Sequence, residues 1–241
     1  MNVPAAGSRL TWLGQLASSL VEVVFPPVCG RCRRLGSLIC DDCRAEIGLV
    51  RAPLCPRCGR QLEGASPVCP SCTERPLPLN QVRAPLRYAE PTSTLIHQLK
   101  YEGYFALAGP LAAYMIAGWP AWEVPVDLIV PIPLHPRRER RRGYNQSALL
   151  ARHLAGAVGL PVDCAALRRS RRTRPQVELN PRDRHENVQG AFSAEPGRVA
   201  GRSVLLVDDV FTTGATMSAS AEALAAAGAT AVSGYCLARV H

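Results

Sequence analysis

Beyond position 84, short apolar runs alternate with longer segments of helical spacing. Asp127–Ile132 (DLIVPI) ends at prolines, as a buried strand entering a loop should, and Arg202–Val207 (RSVLLV) reads as a second buried strand. Thr230–Ala238 gives a final strand, with Ala84–Tyr88 and Pro161–Leu167 as shorter candidates. Between them Thr92–Tyr101, Tyr104–Ala117, Asn145–Ala157 and the alanine-rich Ala215–Ala227, stopped by Gly228, carry helical patterns. This alternation predicts an α/β domain with a parallel sheet covered on both faces. Ligands of such sheets bind beyond the carboxyl ends of the strands. Arg168–Gly190 is polar and without apolar period, so it reads as a long loop, and Glu74–Val82, with Pro76 and Pro78, as a linker. At the other end Leu10, Leu13, Leu20, Val21 and Val24 fall near one stripe, which predicts an amphipathic N-terminal helix within residues 1–27. Gln15, Ser18, Ser19 and Glu22 interrupt that run, leaving it too short and too polar to span a bilayer.

Composition adds little to this frame, but charge adds a good deal. A 47% hydrophobic fraction and a mean hydropathy of +0.02 describe a soluble globular chain. The net charge of +9 is concentrated. The window from Arg137 to Arg184 holds 13 arginines, no lysine and four acids, a surplus equal to that of the whole chain. Such a block points to an anionic partner, either a phosphorylated metabolite or nucleic acid.

Eight of the ten cysteines lie between positions 29 and 72, as four C-x-x-C pairs: Cys29/Cys32, Cys40/Cys43, Cys55/Cys58 and Cys69/Cys72. The spacing lets two thiolates from one tight turn converge on a tetrahedral metal, and two pairs complete a four-cysteine shell. Eight cysteines therefore make two zinc sites within residues 28–75. Sequential grouping is the simplest, and spacing alone leaves an interleaved grouping open. Repeated C-x-x-C pairs fit zinc in a reducing cytoplasm better than a disulfide framework, and iron is the third reading. Cys164 and Cys236 read as plain core residues.

The strand at 204–207 runs into Asp208-Asp209-Val210-Phe211-Thr212-Thr213-Gly214-Ala215-Thr216, and a helix follows. Two neighbouring carboxylates at a strand end can accept the hydroxyl hydrogens of a vicinal diol or help hold a divalent cation. The threonine-rich turn offers backbone N–H groups and hydroxyls where a helix opens, the recipe for a phosphate monoester site. Diol and phosphate a sugar's width apart describe ribose 5-phosphate.

Residues 204–216 resemble the phosphoribosyl pyrophosphate (PRPP) signature of type I phosphoribosyltransferases, with Phe211 in place of the usual aliphatic residue. The resemblance extends over nearly the whole chain to the ComF family of competence-associated proteins. It is carried by the four C-x-x-C pairs, HQLKY at 97–101, PIPLH at 131–135, RRGYNQS at 141–147, and Arg184, Asn187 and Phe192. It implies a type I phosphoribosyltransferase-like domain over residues 84–241 behind a double zinc ribbon. It also implies that Asp208 and Asp209 hold the ribose hydroxyls, with Val210 beside them, and that Thr212, Thr213, Gly214, Ala215 and Thr216 hold the 5-phosphate. Pro133, Leu134 and His135, running towards Arg137, would form the pyrophosphate loop, and Arg168–Gly190 the loop that closes over the substrate. Mg²⁺ would bridge pyrophosphate and ribose oxygens. Transfer to an unidentified acceptor is the first expectation, with Asp208, Asp209 and Arg137 as its catalytic groups. A single-stranded DNA module working with the competence machinery, or a PRPP sensor without turnover, are the alternatives. A cytoplasmic location is expected, and such folds often dimerise. With Asn2 after Met1 and no length for a glutaminase domain, glutamine-dependent ammonia transfer is not expected.

Overall fold

The computed structural model describes residues 26–64, 66–119, 122–170 and 190–240. The expected N-terminal helix and most of the Arg168–Gly190 segment, including Arg184 and Asn187, lie outside the described residues.

The cysteine-rich region folds as two copies of one small unit. In the first, Cys29 N–H donates to Arg34 O at 2.8 Å, Gly36 N–H to Pro27 O, and Val28 bridges Leu35. Residues 26 positions later repeat the pattern: Cys55 N–H donates to Arg60 O at 2.7 Å, Leu62 N–H to Pro53 O, and Leu54 bridges Gln61. Each unit closes with a short helix at its second cysteine pair, α1 (Asp41–Ala45) holding Cys43 with Cys40 at its N-cap and α2 (Pro70–Glu74) holding Cys72 with Cys69 at its N-cap. The residue after the first knuckle is left-handed in both, Arg33 at φ 64° and Gly59 at φ 67°. Only glycine fits the second, because a Cβ there would lie 2.7 Å from Val82 O.

The sheet follows. Strands β1 (Val82–Arg83) and β2 (Leu86–Arg87) are separated by Ala84 and Pro85; the proline has no N–H to give a ladder, and the strand expected at 84–88 is reduced to β2. Helices α3 (Thr92–Tyr101) and α4 (Ala108–Gly118) lead to β3 (Leu128–Pro131), α5 (Pro136–Arg142) and α6 (Gln146–Val158). Strands β4 (Leu167–Arg169) and β5 (Phe192–Ala194) form a separate antiparallel pair; the stretch expected as a strand from Pro161 makes only a bridge from Val162 to Ile129. After α7 (Pro196–Val199) come β6 (Ser203–Phe211), α8 (Ala215–Ala226) and β7 (Ala231–Arg239). The main sheet is all parallel: β1 and β2 pair with one side of β7, β6 with the other, and β3 with β6.

Strand alternation divides the core. Val204 and Leu206 pack on one face with Met217, Ala221, Leu224 and all four cysteines of the second zinc unit. Leu205 and Val207 pack on the other with Leu111, Leu150, Leu154 and three cysteines of the first unit, Cys29, Cys40 and Cys43. The segment expected as a linker is pinned as well, with Leu79 buried and Asn80 N–H donating to Val232 O at 2.9 Å. Each metal unit is thus part of one face of the domain's own core. Among the described residues no helix is long and apolar enough to cross a membrane.

Candidate functional site

Two clusters of four cysteines come first. The thiols of Cys29, Cys32, Cys40 and Cys43 lie within 4.8 Å of one another, and so do those of Cys55, Cys58, Cys69 and Cys72. This is the sequential grouping. Cys32 and Cys40 approach to 3.5 Å, as do Cys58 and Cys69. That is far from a disulfide's roughly 2.05 Å and near the roughly 3.8 Å edge of a tetrahedron with ~2.3 Å zinc–sulfur bonds. The donor set is all thiolate, and four sulfurs complete a tetrahedral shell, so both are structural zinc-binding sites.

The second locus lies at the carboxyl end of β6. The strand does not stop at Val207 as the apolar run suggested; it continues through the acids to Phe211, pairing Asp208 with Cys236 and Phe211 with Arg239 of β7. Gly214, at φ 82°, turns the chain into α8, and a Cβ on it would meet the Phe211 ring at 2.9 Å. A cavity of about 640 Å³, a size usual for small-molecule sites, opens here. Among the sequence-predicted residues, Pro133, Leu134, Asp208, Asp209, Val210, Thr212, Gly214, Ala215 and Thr216 line it. His135, Arg137 and Thr213 do not.

Arg137 is displaced by a helix that the sequence did not announce. Segment 136–142 (PRRERRR) has no apolar stripe, yet it is helical because Pro136 opens it, the His135 side chain accepts from Arg137 N–H, and Gly143 at φ 85° closes it. The turn leaves Arg137 exposed and brings Arg138, Arg141 and Arg142 to the cavity. From β4, Arg169 joins them, buried with its guanidinium 5.3 Å from the Phe192 ring. Burial first, and then the charge of Arg138, pulls Arg169 down to about 10, while Asp208 opposes the shift. Burial also lowers Arg142. Clustered, desolvated guanidiniums of this kind are relieved by an anion.

Each acid is held by residues distant in sequence. Asn145 caps α6 by accepting from Ser147 N–H at 3.0 Å, and its amide donates to Ile132 O at the end of β3. This fixes the next two side chains against β6. Ser147 Oγ donates to Asp208 Oδ1 at 2.8 Å, and Gln146 Nε2 to Asp209 Oδ2 at 2.6 Å. Both carboxylates therefore sit at the start of a 13-residue helix, where its dipole favours negative charge. Lys100, at the end of α3, places Nζ 2.6 Å from Asp209 Oδ1. Burial opposes the ammonium, but Asp209 and then Asp208 outweigh it and hold Lys100 above its ordinary value. HQLKY at 97–101 and RRGYNQS at 141–147 carry part of the family resemblance, and that is the sequence signal that points to Lys100, Gln146 and Ser147.

Burial, and then the charge of Asp209, raises Asp208 to about 7. Its folded value thus lies above the unfolded one, so the native state binds more protons between about pH 4 and 7, and stability falls as pH climbs through that window. Asn at 208 keeps the acceptor for Ser147 and loses the charge. Asp208→Asn is expected to gain stability relative to the wild type as pH rises from about 5.5 to 8, the gap narrowing again towards the acid end. Urea midpoints at the two pH values check this.

A double zinc ribbon ahead of a phosphoribosyltransferase-type domain is the class these features define. The double zinc ribbon domain family matches residues 20–73, and the phosphoribosyl transferase domain family matches residues 141–241. DNA utilization protein YhgH of Salmonella typhimurium is 36% identical over 227 residues, covering 90% of this chain and 99% of its own. Competence protein F of Haemophilus influenzae is 30% identical over 83% of this chain and 90% of its own, and competence protein ComFC of Bacillus subtilis 27% identical over 83% and 84%. The chain belongs to the ComF family. Among solved structures, glutamine PRPP amidotransferase from B. subtilis overlays at a TM-score of 0.38 with 26% identity, over 54% of this chain and 26% of its own.

Proposed function

We propose that the cavity binds PRPP and that the chain transfers its phosphoribosyl group to an acceptor nucleophile, in a role connected with DNA uptake. One observation carries this: the acid pair, the threonine turn and an arginine wall line the same cavity at a strand's carboxyl end. The turn from Thr212 to Thr216 takes the 5-phosphate, and the acids take the sugar hydroxyls. Arg138, Arg141, Arg142 and Arg169 face the pyrophosphate. In the reaction the bond from C1 to the pyrophosphate oxygen breaks, and its electron pair leaves with pyrophosphate. The acceptor's lone pair closes on C1, and the acceptor loses a proton. Preorganised guanidiniums stabilise the charge that develops on the leaving group.

Magnesium fits such a site. Asp208 lines the cavity, and its Oδ2 makes no hydrogen bond to protein among the described residues. An oxygen donor thus remains near the substrate's own pyrophosphate and ribose oxygens, the hard ligands this ion prefers. When bound, it would neutralise part of the pyrophosphate charge.

Calorimetry with PRPP, with and without Mg²⁺, tests the reading. Micromolar binding that strengthens with Mg²⁺ is expected, and pyrophosphate release should follow when the right acceptor is supplied. Absence of any PRPP binding refutes it. A second reading, single-stranded DNA binding, draws on Tyr101, which is 57% exposed at the cavity with the Arg142 guanidinium 5.1 Å from its ring. Tyr104 and Tyr144 are instead half-buried, their hydroxyls donating to Val28 O and Leu99 O. Affinity for an oligonucleotide that falls steeply with salt would favour this second role.

A further inference from the structure

Lys100 is the only lysine in a chain that places arginine at the other 27 of its 28 lysine and arginine positions. Arginine serves even in simple surface ion pairs, such as Arg31 with Glu46, Arg34 with Asp42 and Arg198 with Asp163. A positive charge on its own therefore does not explain the exception. Position 100 differs from those surface pairs in where it lies: at the cavity, which four arginines also line, and 2.6 Å from one of the two signature acids.

Donor geometry supplies the reason. Asp209 already accepts from Gln146 at its other oxygen, 2.6 Å away. A planar guanidinium prefers to take both oxygens of a carboxylate at once and would compete with Gln146. An ammonium takes one oxygen and keeps two further donors, set at tetrahedral angles. Ionised carboxylates, for their part, only accept. They can take the protons of a sugar diol but offer nothing to its oxygen lone pairs, which would enter a desolvated site unpartnered.

We propose that Lys100 is a specificity-determining residue that donates to a hydroxyl of the ribose diol while holding Asp209, so that the site selects a ribose 5-phosphate over its 2-deoxy counterpart. This rests on the ribose-phosphate reading of the cavity and names which sugar the cavity accepts. The deoxy sugar leaves the second donor and an acid unmatched, and a site built around a hydroxyl rejects the analogue lacking it.

The test is calorimetry of ribose 5-phosphate, 2-deoxyribose 5-phosphate and inorganic phosphate on the wild type, Lys100→Arg and Lys100→Gln. Wild type should prefer the ribose compound roughly tenfold to a hundredfold. Both variants should lose that preference while keeping their affinity for inorganic phosphate, which reports an intact threonine turn. An unchanged ratio in a phosphate-binding variant overturns the proposal and leaves the ribose-phosphate reading standing. A wild type that binds ribose 5-phosphate no better than inorganic phosphate defeats that reading and the proposal together. The wild type also allows a test without variants, since its single lysine can be followed by amine acetylation and peptide mass spectrometry. Ribose 5-phosphate should shield Lys100 at least several-fold better than the deoxy sugar at equal occupancy. Equal shielding counts against the proposal.

Discussion

Removing zinc with a strong chelator is expected to unfold the whole chain in one transition, including the strands β6 and β7 far along the sequence. A tethered metal head would melt alone, but here all four cysteines of the second unit and three of the first are built into the two faces of the α/β core. The second unit is also bound by its backbone. Val82 N–H donates to Arg57 O at 2.6 Å, Arg83 donates to Pro56 O at 2.9 Å, and buried Arg239 donates to Cys58 O. Structural zinc contributes on the order of 10–16 kcal/mol, comparable with or larger than the ~5–15 kcal/mol net stability of a domain. Hydrogen exchange in β6 and β7 measures the outcome. Protection that persists there after both metals have left would refute it.

Asp209→Asn is expected to abolish ribose 5-phosphate binding and to lower stability by about 3–5 kcal/mol, as breaking one side of a buried ion pair does. The cost arises because Lys100 keeps its charge with its nearest anion gone, 2.6 Å from where Asp209 Oδ1 had been. The double variant Asp209→Asn with Lys100→Gln should recover most of the stability and none of the binding. Denaturant midpoints for the two single variants and the double close the cycle. If the double variant is no more stable than Asp209→Asn, the pair contributes little to the fold.

Much of the fold was legible because its signals are local. VLLV at 204–207 reads as strand from its apolar run, and the C-x-x-C pairs announce metal from spacing within a single turn. Where charge enters a regular element, that legibility ends. Asp208 and Asp209 end the apolar run at Val207, yet β6 extends four residues beyond it because β7 supplies ladder partners as far as Phe211. The arginines of 136–142 hid a helix whose evidence lies in its ends, His135 and Gly143. Arg137 follows from reading this segment as a loop after the strand; as a helix it turns Arg138, Arg141 and Arg142 to the cavity instead. Lys100 and Gln146 meet Asp209 from far away along the chain, and no pattern within one segment reports such a meeting.

Strand β7 is the hub of the sheet, with β1, β2 and β6 all paired to it, and it follows every one of them in the chain. A ribosome therefore completes both zinc units well before it makes the strand against which their neighbours align. Sheet closure thus comes last in synthesis, and the eight cysteines emerge before every strand whose faces they help to cover.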